Sequence, residues 1–264
     1  FFDCLILKIA TWNVNSIRVR ITHVQEWLKT TKVDVLLLQE LKAPEDKIPV
    51  NEIEDLGYNI VYVGQPSYNG VAIVSKYPLS DITTSLPGDN EDVQARYIEA
   101  WIEAKEKSIR IASVYLPNGN PVSSEKFTYK INWLKRLKNH AKNMLKYEEP
   151  FILGGDFNVC PSSLDVADVE SMKSDALCQP VIRELYRSML FMGVTDGFRL
   201  LHEKSNEYTY WDYGSSFKLD KGLRIDHLLF SPQALDRLVS IDIDKTPRSW
   251  EKPSDHTPLW CMLR

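Results

Sequence analysis

The feature that most constrains the fold is an alternation of short β-branched apolar segments with amphipathic helical segments along the whole chain. Strands outnumber helices, and several neighbouring strands are joined by turns such as residues 67–70, so a single doubly wound sheet does not accommodate them. The pattern predicts an α/β fold with two mixed β-sheets packed face to face and helices on the outside. We predict strands at residues 7–14, 34–39, 59–63, 71–75, 98–104, 109–115, 151–154, 208–211, 225–230 and 257–263. We predict helices at residues 21–30, 50–56, 124–147, 180–192 and 233–238.

Length and composition limit the class of protein. The 264 residues are 44% hydrophobic and 26% charged, values that exclude a disordered chain and a collagen-like repeat. No linker, repeat or shift of composition divides the chain, so we expect a single domain over residues 1–264.

The cysteines and the N-terminal segment indicate the compartment. Cys4, Cys160, Cys178 and Cys261 lie far apart without a CxxC pair, which predicts reduced thiols rather than a zinc knuckle or a disulfide scaffold. The first ten residues carry Asp3 and no positive region, so they do not have the pattern of a signal peptide. No apolar run reaches ~18 residues, the length that spans a membrane. We therefore expect a cytoplasmic protein without membrane contact.

The net charge initially argues against a nucleic-acid partner. Asp and Glu number 36 against 32 Lys and Arg, which gives a formal net charge of -4. A negative protein repels a phosphate backbone unless its charges are arranged locally.

Common nucleotide-binding and hydrolase motifs are missing: the chain has no GxxxxGK[ST], GxGxxG, GxSxG or HExxH. Polar residues instead follow or precede apolar strands at five places, and ligands of sheet-based α/β folds bind beyond strand ends. These places are Asn13 with Asn15, Gln39 with Glu40, Asp156 with Asn158, Arg224 with Asp226, and Asp255 with His256.

The residue types at these strand ends suit a hard cation. The carboxylates of Glu40, Asp156 and Asp255, with the amide carbonyls of Asn13 and Asn158, favour Mg²⁺, or Mn²⁺ as a substitute, over Zn²⁺. Such a cation points to phosphate chemistry, which also needs a group that activates water and donors for the phosphate oxygens. Each element alone could be a helix cap or an Asx turn. Their joint occurrence favours a phosphoesterase.

Six segments in one order carry a resemblance to a known family. They are residues 12–15 (WNVN), 39–40 (QE), 115–119 (YLPNG), 155–158 (GDFN), 222–226 (GLRID) and 254–256 (SDH). The chain resembles the exonuclease III family of apurinic/apyrimidinic endonucleases, of the bacterial type, in the endonuclease/exonuclease/phosphatase superfamily. The resemblance implies a four-layer α/β sandwich and covers residues 8–263. Because it begins at residue 8, it also implies that residues 1–7 are an N-terminal extension.

The resemblance also implies a metal site and a water-activating group. Asn13 and Glu40 would hold the metal, Asp156 would orient or deprotonate the attacking water, and Asn158 would fix Asp156 and touch the phosphate. Asp255 would join a second metal position. With His256, these residues form the expected metal site.

A second implied group acts on the scissile phosphate. His256, paired with Asp226, would donate to this phosphate, and Tyr115 would contact it. A carboxylate on one ring nitrogen favours the imidazolium, which is the form that best binds a phosphate oxygen. The alternative is that Asp226 caps a turn.

DNA contacts are expected from a third set of residues. By resemblance, Arg96 and Asn118 would contact DNA, while Tyr210, Trp211 and Leu223 would line an apolar pocket for an extruded abasic sugar. Core packing is the alternative for Trp211. Other basic residues near the strand ends could track phosphates or form solvated surface: Arg18, Arg20, Lys42, Lys126 and Arg224.

Three functions are compatible with these observations. The first is a monomeric, metal-dependent DNA repair nuclease that cleaves 5′ to abasic sites to leave a 3′-hydroxyl, with 3′→5′ exonuclease and 3′-end cleaning activity on double-stranded DNA. The second is a phosphoesterase on a phospholipid head group or inositol phosphate, and the third is a catalytically dead nucleic-acid-binding relative. The expected site contains four carboxylates: Glu40, Asp156, Asp226 and Asp255. Without their charges the formal net charge of -4 would be zero. The charge therefore describes the metal site more than a DNA-binding face.

Overall fold

The computed structural model describes residues 6–264 and contains two six-stranded sheets with helices around them. The strands are β1 (Leu7–Asn13), β2 (Val35–Gln39), β3 (Asn59–Val63), β4 (Val71–Ser75), β5 (Leu79–Thr83), β6 (Tyr97–Ile102), β7 (Ile109–Tyr115), β8 (Phe151–Asp156), β9 (Thr195–Asp196), β10 (Asp226–Phe230), β11 (Leu238–Ile243) and β12 (Leu259–Leu263). The helices are α1 (Ile17–Thr31), α2 (Val50–Glu54), α3 (Glu125–Leu145), α4 (Pro180–Phe191), α5 (Gly197–Leu201) and α6 (Pro232–Leu235).

Both sheets are mixed, which confirms the predicted fold class. The first sheet has the order β11-β12-β1-β2-β4-β3, and the second has the order β5-β6-β7-β8-β10-β9. Each sheet has one parallel pair near its centre, β1 with β2 and β7 with β8, and its other neighbours are antiparallel. The parallel pairs bring the ends of four strands to the same end of the molecule.

Three apolar clusters hold four layers together. Residues such as Leu37 and Ile152 fill the space between the two sheets. Trp27 of α1 belongs to a cluster on the outer face of the first sheet, and Trp133 of α3 belongs to one on the outer face of the second. Because each sheet buries both faces, its central strands are apolar throughout rather than alternating, as the sequence of β2 shows.

Several predicted elements differ from those observed. Residues 208–211 form no strand, because Tyr210 makes only isolated bridges to Leu223 and His256. Strands β5, β9 and β11 and helix α5 were not predicted. The helix predicted at residues 233–238 ends at Leu235, and β11 begins at Leu238. These elements are short or lie at or near sheet edges, where few side chains are buried and the apolar pattern is weak.

Strand β8 continues two residues beyond its predicted end at Gly154, so both Gly154 and Gly155 lie inside it. A Cβ on Gly154 would come within 2.6 Å of side chains from both Leu37 and Leu228. A Cβ on Gly155 would lie 1.9 Å from the carbonyl oxygen of Val114 on the neighbouring strand. Glycine therefore allows β8 to continue as far as Asp156 while the sheets approach closely.

The described residues include three of the four cysteines and all of the helices given above. Cys160, Cys178 and Cys261 are buried free thiols, whereas Cys4 and most of the predicted extension lie outside the described residues. Among those residues, no helix combines the length and apolarity needed to cross a membrane.

A buried ionic cluster lies beside β10. Arg224 is fully buried, and its guanidinium donates to Asp165 at 2.7 Å and to Asp196 at 2.9 Å. It also lies 3.0 Å from His227 Nδ1. Burial alone would raise the pKa of Asp165, but the Arg224 charge and hydrogen bond lower it below its usual value. This corrects the suggestion that Arg224 tracks DNA phosphates, because its donors are used inside the protein.

We expect Arg224→Met to lower the free energy of unfolding by about 3–5 kcal/mol at pH 7, because buried Asp196 loses its arginine partner and buried Asp165 keeps only Arg199. Asp165 favours folding while it is ionised, so its contribution is lost as the pH falls through its folded pKa. The variant carboxylates can take up protons, and its deficit should shrink near pH 4. Urea denaturation at both pH values measures this, with exposed Arg187→Ala as the control. A deficit below 1 kcal/mol at pH 7 would contradict it.

Candidate active site

One hydrogen-bonded amide joins the two sheets at the shared strand ends. Asn13 ends β1, Glu40 follows β2 and Asp156 ends β8. The Asn13 Nδ2 group donates to Glu40 Oε1 and to Asp156 Oδ2, both at 2.9 Å. Face-to-face packing of the sheets thus places two carboxylates from distant parts of the chain against one side chain.

Glu40 is held in a left-handed turn immediately after β2. Its φ is 54°, and its carbonyl accepts from the Ser16 amide at 2.8 Å. Burial disfavours its charge, but Lys42, at 2.8 Å from Oε2, and the Asn13 hydrogen bond outweigh burial and lower the pKa of Glu40. Glu40 is therefore ionised and points toward Asp156.

His256 and Asp226 form the predicted pair. His256 Nδ1 lies 2.8 Å from Asp226 Oδ2, and both side chains are buried. Burial lowers the pKa of His256, but the negative charges of Asp226 and Asp156 outweigh it and raise the pKa to about 10. The ring is therefore an imidazolium at neutral pH, with Nε2 directed toward Asp156 Oδ2 at 3.7 Å. Among residues 6–264, Asp226 Oδ1 has no hydrogen-bond partner, and the hydrogen bond of this carboxylate to a cationic side chain is the one to His256.

Asp156 lies among these groups and is almost fully buried. Burial raises its pKa, and the neighbouring charges of Asp226 and Glu40 raise it further, against the opposing effect of His256. The backbone N–H of Asn158 donates to Asp156 Oδ1 at 2.9 Å and fixes the carboxylate. The crowding of like charges is what a bound divalent cation would relieve.

The donor set fits a hard cation in part. Glu40, Asp156 and His256 each offer one atom within 4.8 Å of the others. The two carboxylates suit Mg²⁺-type coordination. The imidazolium of His256 has no free lone pair on Nε2 while it is paired with Asp226, so its predicted role as a metal ligand does not fit this protonation state.

Two further predicted metal ligands face differently. The Asn13 amide nitrogen, not its oxygen, faces the carboxylates, because Asn13 Oδ1 accepts from the Asn15 amide at 3.0 Å. Asn13 therefore orients the carboxylates rather than supplying an oxygen. Asp255 lines the same cleft but accepts from Asn15 Nδ2 at 3.1 Å and lies outside the group of converging donors.

Asn158 and Asn118 connect the loops that follow β8 and β7. Asn158 has a φ of 47° and donates through Nδ2 to the Leu116 carbonyl at 2.9 Å. Asn118 Nδ2 donates to Asn158 Oδ1 at 3.3 Å. Both predicted site residues therefore lie in one hydrogen-bonded unit beside Asp156.

Arg96 packs against Tyr115, which is one of the residues around the site. The Arg96 guanidinium stacks 4.8 Å from the centre of the Tyr115 ring and donates to the Tyr115 carbonyl at 3.3 Å. Burial, followed by the charges of Glu40 and Asp156, raises the pKa of Tyr115 well above its usual value. Tyr115 is thus a neutral phenol that can donate a hydrogen bond into the cleft.

A cleft of about 430 Å³ opens over these residues. Tyr210 and Leu223 line it, as predicted, and the Tyr210 ring packs edge-on against His256 at 5.0 Å. Trp211 is fully buried, packs against Phe217 and donates from Nε1 to Asp220 at 3.0 Å. The packing alternative therefore describes Trp211. The cleft also has lining residues that were not predicted: Asp168, Met172, Asp175, Leu177 and Asp212.

The other basic residues have different surroundings. Arg18 and Lys126 are exposed. Lys42 pairs with Glu40 at 2.8 Å and donates to Asn15 Oδ1 at 2.6 Å, so two of its donors are used within the site. Arg20 donates to the carbonyls of Asn15 and Pro253, so these donors are used inside the protein.

Sequence reasoning missed two buried cations that contact the site loops. Lys130 on α3 donates to the carbonyls of Asn118 and Asn158, and Arg248 donates to the carbonyl of Ser254 at 2.7 Å. The signal for Lys130 was present in the sequence. It interrupts the apolar stripe of α3 at the spacing of a core position, where a lysine is unexpected.

Comparison with known proteins identifies the family. Residues 10–256 match the endonuclease/exonuclease/phosphatase family. The chain belongs to that family. It is 32% identical to exodeoxyribonuclease III of Haemophilus influenzae, over 98% of this chain and all of the relative. It is also 26% identical to the DNA repair nuclease APEX1 of Danio rerio, over 97% of this chain and 82% of that protein.

Solved structures of the endonuclease/exonuclease/phosphatase family share the whole fold. A 3′ phosphatase from Neisseria bound to a product DNA hairpin is 37% identical, with a TM-score of 0.94 over 98% of this chain and 99% of that one. An AP endonuclease from Archaeoglobus fulgidus is 35% identical, with a TM-score of 0.92 over 97% of this chain and 99% of that one. The predicted resemblance to the exonuclease III family is confirmed.

Proposed function

We propose that this protein is a metal-dependent DNA repair nuclease. It hydrolyses the phosphodiester 5′ to abasic sites to leave a 3′-hydroxyl, and it has 3′→5′ exonuclease and 3′-end cleaning activity. The observation that carries the proposal is the convergence of Glu40, Asp156 and the Asp226-paired His256 on one cleft. The relatives named as exodeoxyribonuclease III and AP endonuclease support DNA as the substrate.

The side chains divide the chemistry among them. Asp156 orients the attacking water and accepts its proton, and Asn158 keeps Asp156 in place through its amide. His256 donates from Nε2 to a nonbridging oxygen of the scissile phosphate, while Asp226 keeps the ring charged. Tyr115 donates to the same phosphate. As the water oxygen bonds to phosphorus, the bond between phosphorus and the 3′-oxygen breaks, and the departing 3′-oxygen takes a proton from solvent to become the 3′-hydroxyl. A divalent cation bound by Glu40 and Asp156 would neutralise the charge that develops on the phosphate oxygens.

Mg²⁺ is the proposed cation, with Mn²⁺ as a substitute, because both carboxylates are hard oxygen donors. Arg96 and Asn118 are proposed to contact DNA near the scissile phosphate, and Tyr210 and Leu223 to form the apolar side of the sugar pocket. A single domain, a monomeric state and a cytoplasmic location stay predictions.

The test uses two labelled substrates: a duplex with a stable abasic analogue, and an undamaged duplex with a recessed 3′ end. We expect cleavage of both in Mg²⁺, loss of more than 99% of it in a chelator, and recovery on adding Mg²⁺ or Mn²⁺, since the cation supplies charge that the protein lacks. The ratio of the two rates gives the balance of endonuclease and exonuclease activity. Cleavage of neither substrate in Mg²⁺ would reject the proposal, and hydrolysis of an inositol phosphate instead would support the alternative phosphoesterase.

Binding should depend on the lesion and on the metal. The net charge of -4 disfavours phosphate binding, and two basic residues near the strand ends, Lys42 and Arg224, pair inside the protein. We expect the undamaged duplex to bind at least about tenfold more weakly than the abasic duplex in Ca²⁺ at physiological salt, measured by fluorescence anisotropy. Equally tight binding of both duplexes in a chelator would contradict this expectation.

A further inference from the structure

A buried lysine connects the two loops that carry Asn118 and Asn158. Lys130 lies in the second turn of α3, and its side chain is completely buried. Its Nζ donates to the main-chain carbonyl of Asn118 at 2.8 Å and to that of Asn158 at 2.6 Å. One ammonium group therefore bridges the chain after β7 to the chain after β8.

The Asn158 loop has an unusual backbone conformation. Asn158 has a φ of 47°, in the left-handed region that few non-glycine residues adopt, although asparagine does so more often than most. In this conformation its amide donates to Asp156 and its carbonyl accepts from Lys130. The Lys130 amino group thus holds the carbonyl of Asn158, and the backbone N–H of the same residue holds the Asp156 carboxylate.

The Asn118 loop is shaped around the same side chain. Gly119 has a φ of 85°, and a Cβ there would lie 2.5 Å from Lys130 Cδ. The methylene stem of Lys130 therefore fills the space beneath the loop, and its ammonium fixes the preceding carbonyl. Side-chain hydrogen bonds add to these contacts. Asn118 Nδ2 donates to Asn158 Oδ1, and Asn120 Nδ2 donates to Asp175 Oδ1.

Burying a lysine amino group costs free energy, and burial lowers the pKa of Lys130 to about 7. An apolar side chain of similar length would fit a helix core at a lower cost in free energy. The advantage of lysine here is geometric, because Nζ keeps at least two N–H donors in either protonation state and can satisfy carbonyls from two directions. We propose that Lys130 is a positioning residue that sets the placement of Asn118 and Asn158, and through Asn158 the placement of Asp156. The catalytic part of this inference rests on the proposed function.

The test compares Lys130→Met, which keeps the stem but loses the donor, with Lys135→Met, an exposed lysine on the same helix. For Lys130→Met we expect a fall in kcat of about 10- to 100-fold with KM changed less than about threefold, because small misplacements of reacting groups act on the chemical step. Lys130→Arg should recover part of the loss, since it restores donors. Lys135→Met should match the wild type.

Amide hydrogen exchange supplies a readout that does not depend on activity. The amides of Leu116, Asn120 and Asn158 bond to acceptors within the two loops and should exchange at least about tenfold faster in Lys130→Met. Unchanged exchange in Lys130→Met overturns the inference, and so does faster exchange with an unchanged kcat. In either case, cleavage by the wild type still upholds the proposed function. If the wild type cleaves neither duplex, the function fails, and unchanged exchange still overturns the loop placement. Lys130→Gln, which keeps an NH2 donor group on a shorter side chain, replaces Lys130→Met if that variant does not fold.

Discussion

Asp156→Asn is expected to lower kcat for cleavage of the abasic duplex by about 10⁴-fold, the order seen when one member of a catalytic unit is removed. The substitution keeps the shape of the side chain but removes the charge that lies between Glu40 and His256. The variant loses both a metal ligand and the acceptor for the proton of water. Single-turnover kinetics with saturating enzyme measures the effect on the chemical step.

The same variant should be at least as stable as the wild type. The wild-type carboxylate is buried near Asp226 and Glu40, and burial and both like charges raise its pKa. Removing the charge relieves this repulsion, so the free energy of unfolding should stay constant or rise. Asp236→Asn, an exposed carboxylate beyond the opposite end of β10, is the matched control and should leave kcat unchanged. An Asp156→Asn enzyme within tenfold of wild-type activity would show that the water is activated elsewhere.

Asp226→Asn is expected to lower kcat by about 10³-fold at pH 8, because it removes the charge that keeps His256 protonated. In the wild type, the pKa of His256 is about 10, above its ordinary value of 6.5, although burial alone would lower it. Without Asp226, burial opposes the imidazolium with less compensation, and the pKa falls. Above the new pKa the ring can no longer donate from both nitrogens.

The pH dependence gives this prediction its sign. His256 acts in the protonated form, so activity is present below its pKa and lost as the pH rises through it. The alkaline fall of the rate should therefore move to lower pH in Asp226→Asn, and the loss relative to wild type should be smaller at pH 6 than at pH 8. A pH-rate profile from pH 5.5 to 10 measures the shift. An unchanged profile with unchanged turnover would remove Asp226 from the site.

Much of the fold was predictable because the central strands are buried on both faces. Such strands give unbroken apolar runs, and the predicted bounds of β4 and β7 equal those observed. The bounds of the edge strand β3 were also predicted, because its sequence NIVYV is rich in β-branched and aromatic residues. The edge strand β11 was not predicted because most of its side chains are partly exposed, so it lacks that signal. Residues 208–211 were over-predicted for the opposite reason. Their aromatic side chains pack in the core or line the cleft without a strand partner.

The candidate site was predictable in its members more than in their orientation. The residue types at the strand ends, and the resemblance they carry, gave Glu40, Asp156, Asp226 and His256, which the fold brings together. The direction of the Asn13 amide depends on the Asn15 backbone, which adopts a left-handed conformation with a φ of 43°. That detail arises from a local turn and has no sequence pattern of its own.

The sequence by itself determined that this chain forms two mixed sheets and that polar groups stand at the ends of particular strands, because burial and strand polarity are local consequences of residue type. Only the tertiary structure decided which groups act as pairs. Arg224 pairs with Asp165 inside the protein, Trp211 packs in the core, and Lys130 donates to the carbonyls of two loops. Such pairings depend on distances between residues far apart in the chain. These distances are fixed only when the two sheets and their helices pack together.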